Sequence, residues 1–340
     1  MTTSASMQID TLYLEKGARD YAAAARIVEK LNPQKIEEIE DYQTIFSKRR
    51  TPYLSKRDTR NVFVAVKRGA LVKEAPAAYG YGSDDLHYYY IHAYNCVYEC
   101  EYCYLQGYFS SPDLVLFVNH DEIIRDMRAI AAASAAQRVW FHAGEFSDSL
   151  ALSHITAELA DYWQFFSETP NAYLELRTKS INLTAMRQLK PINNAVVSFS
   201  LSTHTQAARH DRDAPTASQR LAAMQRLKEL GFRLGVHFDP LIYAPDFGSN
   251  FEAIVCDLSE RVGFAGIDYI SLGVVRFAKD VYREAKENYP ASDIFARNFI
   301  QGTDHKMRYV RPLRLQMLEL GREILKKHGC PEDKIYFCME

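Results

Sequence analysis

The sequence predicts an α/β protein: a partial (β/α)6 barrel with a small N-terminal α/β cap and a C-terminal extension. Two observations carry this. Apolar, β-branched or aromatic runs recur at 88–95, 138–145, 172–180, 194–202, 232–243 and 267–276. Between them lie segments of helical periodicity at 120–134, 153–167, 216–230 and 250–263. Strand and helix in alternation imply a parallel sheet with right-handed crossovers. Six units are too few to close an eight-stranded barrel, so the spacing predicts an open one. Its site belongs at the C-terminal ends of the strands.

The other elements follow in order. DTLYLEK (10–16) reads as a strand, ARDYAAAARIVEKL (18–31) carries apolar residues at helical spacing, and NVFVAVKRG (61–69) alternates as a strand does. Beyond the barrel, a helix is expected at 312–328 and a short strand at 334–338. The expected organisation is a cap over 1–85, the barrel over 86–290 and an extension over 291–340.

Composition bounds the function. The 340 residues are 47% hydrophobic and 25% charged, an ordinary globular balance that excludes disordered and collagen-like chains. The sequence shows no apolar run long enough for a membrane helix, and its first residues lack the basic-then-apolar pattern of a signal peptide. A cytoplasmic protein without a membrane partner is expected. With a net charge of −2, any nucleic-acid site must be a local patch.

Six cysteines are present, and three fall within eight residues: Cys96, Cys100 and Cys103, spaced Cys-x3-Cys-x2-Cys directly after the first barrel strand. A cytosolic chain of this size does not need disulfides. Three thiolates on a short loop can hold three irons of a [4Fe–4S] cube, which usually has four such ligands. With no fourth cysteine nearby, one iron stays open to the amino and carboxyl groups of S-adenosylmethionine. One-electron reduction then yields a 5′-deoxyadenosyl radical. The competing reading is a set of buried or zinc-binding thiols, but structural zinc usually takes four ligands in paired spacings, and no second Cys-x2-Cys exists. Tyr104, just after the third cysteine, is placed to shield the cluster.

From Cys96 to Gln106, and then through FHAGEFSD (141–148), RTKS (177–180), SFSLS (198–202), DPLIY (239–243) and RFAKDVYREAKENYP (276–290), the chain resembles spore photoproduct lyase of the radical-SAM superfamily. The resemblance runs nearly end to end. It implies a lyase that reverses the ultraviolet thymine–thymine cross-link in DNA by hydrogen abstraction. The implied cofactors are a [4Fe–4S] cluster on Cys96, Cys100 and Cys103, and S-adenosylmethionine lined by Tyr104, Ser147, Lys179 and Ser200. Tyr102 and Tyr104 match the hydrogen-relaying tyrosines. The implied partners are DNA at a damaged dipyrimidine site and an electron donor such as flavodoxin or ferredoxin. Independently, a lysine in an apolar strand has few solvated options, so an anionic or ribose partner for Lys179 is sensible.

The family's hydrogen-donor cysteine aligns here with Glu145, in Ala143-Gly144-Glu145. A carboxylate after the second strand is what many radical-SAM enzymes use to accept from the methionine ammonium, so Glu145 is assigned to the cofactor. A different, possibly nucleic-acid, substrate on the same scaffold is the alternative. A third class, a nucleic-acid binder with a structural cluster, leaves Tyr102, Lys179 and Ser200 without a role.

Two stretches are basic. Between Phe46 and Lys73 there are nine Lys or Arg and one acid, and between His305 and Leu318 four basic residues and no acid. Arg49, Arg50 and Arg57 in the first, and Arg308 and Tyr309 in the second, are the expected DNA contacts. A lesion buried in a barrel must leave the base stack.

Overall fold

A computed structural model describes residues 8–48, 50–76, 79 and 84–338. Six strands run parallel and in sequence order: Leu86–Tyr90, Val139–Ala143, Ala172–Thr178, Ala195–Ser200, Arg233–Leu241 and Ile267–Val274. We call them the first to sixth barrel strands. Val72–Glu74 adds antiparallel at one edge and Ile335–Phe337 adds parallel at the other. Among the described residues the two ends of this sheet are not paired with each other. The expected open (β/α)6 arrangement is present.

Three crossover helices fall where the periodicity places them, at His120–Ala133, Ala217–Glu229 and Phe247–Arg261, with a C-terminal helix at Arg311–Lys327, but the span expected as one helix over 153–167 is broken at the left-handed Ala157 into Ser153–Thr156 and Leu159–Glu168. Thr216 and Gln219 form a reciprocal capping box that sets the start of Ala217–Glu229. Strand faces sort by parity. Leu174 and Leu176 join the large apolar cluster with Phe141, Phe199 and Phe238 and the helices. Glu175 and Arg177, the alternating residues, therefore face the lumen. A small apolar plug of Trp140, Val196 and Tyr269, flanked by Tyr173 and Tyr336, fills the lumen's lower end.

The N-terminal strands Thr11–Glu15, Lys35–Ile39 and Asn61–Ala65 form a second sheet. It also takes Leu114–Phe117 in parallel and Ala93–Tyr94 antiparallel. The chain thus leaves the first barrel strand, pairs once with the N-terminal sheet, and enters the cysteine loop from there. Among the described residues no helix is long and apolar enough to cross a membrane.

Candidate radical-chemistry site

The cysteine loop is pinned from several sides. Asn95 takes a left-handed conformation (φ 62°), which asparagine tolerates, and its amide donates to the carbonyls of Ser111 and Asp113 at 2.8 and 2.7 Å. Lys56 Nζ donates to the carbonyls of Cys96 and Tyr98 at 3.1 and 2.9 Å. Glu99–Cys100 pairs antiparallel with Asp211–Arg212. Arg57 forks onto the buried Glu99, with Nε 3.0 Å from Oε2. Glu101 accepts from His210 and Arg212, both at 2.9 Å.

None of the three thiols is in a disulfide; Cys100 is buried, and Cys96 and Cys103 are half-buried. Burial pushes all three up, Cys96 to about 12, and each is within electrostatic reach of at least one other. Lys56 draws Cys96 and Cys103 down again, and Lys179 draws down Cys100 and Cys103. No three metal-ligating side chains among the described residues converge on a single ion. A cube touched at separate corners by spaced thiolates does not require such convergence. Three free thiols on one loop between two lysines fit that group.

Lys179 follows the third barrel strand in the lumen parity of Glu175 and Arg177. Its backbone N–H donates to Asp148 at 2.7 Å, and its Nζ lies 5.1 Å from the Tyr102 ring centroid. Burial disfavours its charge, but Cys100 and Asp211 outweigh that and hold its pKa above the usual lysine value. Tyr102 donates to Asp211, which accepts from Arg220 at 2.6 Å. Tyr104 donates to the Glu145 carbonyl, and Tyr79 to its carboxylate.

Gly144 makes this placement of Glu145 possible. Its φ is +92°, and a Cβ there would sit 2.8 Å from Ser149 Oγ and 3.0 Å from the Arg177 carbonyl. Ser147 follows in the same turn, half-buried. Ser200 ends the fourth barrel strand, its carbonyl accepting from Arg220 at 3.0 Å.

The predicted DNA contacts are placed differently from one another. Arg49 lies outside the described residues. Arg50 is exposed and pairs with Glu284, while Arg57 belongs to the cysteine loop through Glu99. Arg308 pairs with Asp304 at 2.6 Å, and Tyr309 is buried at 1% exposure, its ring 4.7 Å from that of Phe299. Thus the sequence-level charge of the 46–73 stretch is partly spent within the protein. Replacing Arg57 with alanine is expected to destabilise the protein by about 1–3 kcal/mol, because Glu99 loses its charged partner. Urea unfolding checks this; a stability unchanged from wild type would free Arg57 for another role.

The lumen also holds a network of buried histidines around one carboxylate. Glu175, fully buried, accepts from His237 Nε2 at 2.6 Å, Tyr269 at 2.5 Å and Arg177 at 3.1 Å, and from His142 Nδ1. A carboxylate only accepts, so His142 carries a proton on Nδ1, and its Nε2 lies 3.0 Å from His87 Nδ1. His237 Nδ1 accepts from Ser271 at 2.6 Å. Burial drives His87 down to about 4, which keeps it neutral. The available signal was parity: Glu175, Arg177 and Lys179 alternate with Leu174, Leu176 and Thr178.

The open parallel barrel, with three thiols on the loop after its first strand and Lys179 beside them, defines the radical-SAM type of fold. The chain belongs to the spore photoproduct lyase family, whose model matches residues 7–312. Spore photoproduct lyases of Geobacillus sp. (strain Y412MC61) and Bacillus subtilis (strain 168) are each 22% identical over 205 and 211 residues. Each match covers 59% of this chain and spans 60% of the relative's length. Among solved structures, a cysteine-to-alanine variant of spore photoproduct lyase with dinucleoside spore photoproduct is similar at TM-score 0.83 and 19% identity. A double variant with bound AdoMet and the same dinucleoside is similar at TM-score 0.81 and 19% identity. Both alignments cover 97% of this chain and 98% of the other.

Proposed function

We propose that this protein is a radical-SAM lyase that reverses a thymine dimer lesion, the spore photoproduct, in DNA. One observation carries the reading: a three-thiol loop, flanked by Lys56 and Lys179, stands at the C-terminal end of a six-stranded parallel barrel in a chain of this family. Cys96, Cys100 and Cys103 hold the [4Fe–4S] cluster. Tyr104, Glu145, Ser147, Lys179 and Ser200 line the S-adenosylmethionine site. When bound, these groups supply one-electron reduction and a carbon radical able to remove a hydrogen atom from the lesion.

The chain's own residues do the rest. Lys179 offers a half-buried cation to an anionic or ribose oxygen of the cofactor. The Glu145 carboxylate, oriented by Tyr79, accepts from an ammonium. Tyr102, held by Asp211, and Tyr104, held on the Glu145 carbonyl, relay hydrogen. DNA meets the protein at exposed cations of the 46–73 stretch and at the 291–340 extension, and a small iron–sulfur or flavin protein supplies electrons.

A second reading is favoured by Glu145 itself, which stands where the family resemblance places a donor thiol. On that reading the same machinery acts on a different substrate. Incubating reduced, reconstituted protein with ultraviolet-irradiated DNA and analysing the hydrolysed products tests both. Loss of spore photoproduct with gain of thymine is expected; 5′-deoxyadenosine formation with the lesion untouched would favour the second reading.

A further inference from the structure

We propose that Cys338, delivered by the C-terminal strand, is the hydrogen-atom donor that quenches the substrate radical left after the lesion's bond is broken. The inference rests on the lyase reading above, but its geometry stands separately.

Ile335–Phe337 pairs in parallel with the sixth barrel strand, Ile270 opposite Ile335 and Leu272 opposite Phe337. The chain therefore emerges at the end of the barrel where the cysteine loop lies. Parity then places the thiol. Phe337 packs on the outer apolar cluster and Tyr336 on the lumen plug. Cys338, two residues beyond Tyr336, is aimed to the lumen side above that plug. Its backbone N–H donates to the Leu272 carbonyl at 2.8 Å, which fixes the position.

The thiol stands in a built polar setting. Its Sγ lies 3.9 Å from Arg276 Nη2, and Arg276 forks onto Asp239 with both contacts at 3.0 Å. Asp239 fits there because residue 273 is glycine: a Cβ would lie 2.6 Å from the carboxyl carbon. Cys338 is also within electrostatic reach of Arg177, whose guanidinium lies 5.3 Å over the Tyr79 ring, and Tyr79 donates to Glu145. One chain of contacts thus joins Cys338 to the wall that carries Glu145 and Tyr104.

The remaining cysteines do not compete. Cys256 lies on the helix Phe247–Arg261 beside His328, and Cys330 packs in the outer cluster. Burial pushes the Cys338 thiol up to about 12, so it keeps its hydrogen at neutral pH. An S–H bond is weak enough to yield that hydrogen to a carbon radical, whereas the O–H of a carboxylic acid at residue 145 is not.

The step balances. The Cys338 S–H bond breaks and a C–H bond forms on the product, one hydrogen atom moving with no net charge. The sulfur radical regains a hydrogen atom from Tyr104. The hydrogen first taken from the lesion is held on 5′-deoxyadenosine and returned from its C–H bond to the tyrosine, so the cycle is redox neutral.

The test uses reconstituted full-length protein, equilibrated in D2O, with dinucleoside spore photoproduct. Wild type should place solvent deuterium in the thymine product. Cys338→Ala and Cys338→Ser should each lower deuterated product at least tenfold, with melting transitions matching wild type. A second readout needs no turnover: the dinucleoside should slow maleimide labelling of Cys338 at least fivefold, read by mass spectrometry, and leave Cys256 unaffected. Equal deuterated product from wild type and both variants, or no protection, overturns the assignment. If wild type makes no thymine product at all, the lyase reading falls, and the donor role with it.

Discussion

Replacing Cys100 with alanine is expected to abolish the visible iron–sulfur absorbance and the reductive cleavage of S-adenosylmethionine together. Of the three thiols this one is buried, on a strand pair with Asp211–Arg212 that fixes its direction. Removing it leaves two thiolates for a cube that needs three corners held. A second cysteine cannot step in, because Cys256 and Cys330 lie in other parts of the fold and Cys338 is fixed beside Arg276 at the end of the far edge strand. The readouts are iron content, absorbance and 5′-deoxyadenosine after reduction, with melting of the apo-protein to report folding separately. Full 5′-deoxyadenosine formation by Cys100→Ala would remove the loop from the account.

The second large effect lies behind Tyr102. Arg220 and Asp211 form an ion pair at 2.6 Å with side-chain exposures of 0% and 1%. Arg220 Nε donates to the Pro215 carbonyl and Nη1 to that of Ser200, so its head group is satisfied on all sides. Asp211 in turn holds the Tyr102 hydroxyl. Arg220→Met leaves a carboxylate buried without its partner, and a loss of about 3–5 kcal/mol is expected. Changing Asp211→Leu as well should recover only part of that loss, since it removes the stranded carboxylate but also the anion that holds Lys179 and the acceptor of the Tyr102 hydroxyl. Urea unfolding of the two singles and the double checks the cycle. A single variant within about 1 kcal/mol of wild type would show that Arg220 is dispensable to the fold.

Much of this was legible in the sequence, for physical reasons. A parallel sheet buried on both faces writes itself as apolar runs, and helices packed on it as 3.6-residue periodicity, so strands and helices fell within a few residues of their expected places. The cysteine loop was legible because thiol spacing is a local property. What was not legible was whatever depends on long-range pairing. The run 88–95 divides, with 86–90 in the barrel and 93–94 in the N-terminal sheet. The basic stretch around residues 46–73 read as a surface charge, but Arg57 and Lys56 reach across to the cysteine loop, and Arg68 pairs with Glu15. The lumen network on Glu175 needs residues from five barrel strands, and no window of sequence brings His87, His142 and His237 together. Cys338, near the end of the chain, joins the barrel mouth through a seventh strand whose register alone decides its direction.

The most direct measurement gives reduced, reconstituted wild-type protein a defined dinucleoside spore photoproduct and follows thymine dinucleoside and 5′-deoxyadenosine in the same reaction. The lesion is expected to disappear, the repaired dinucleoside to replace it mole for mole, and both changes to require reductant and S-adenosylmethionine. Formation of 5′-deoxyadenosine while the lesion persists unchanged would contradict the lyase reading.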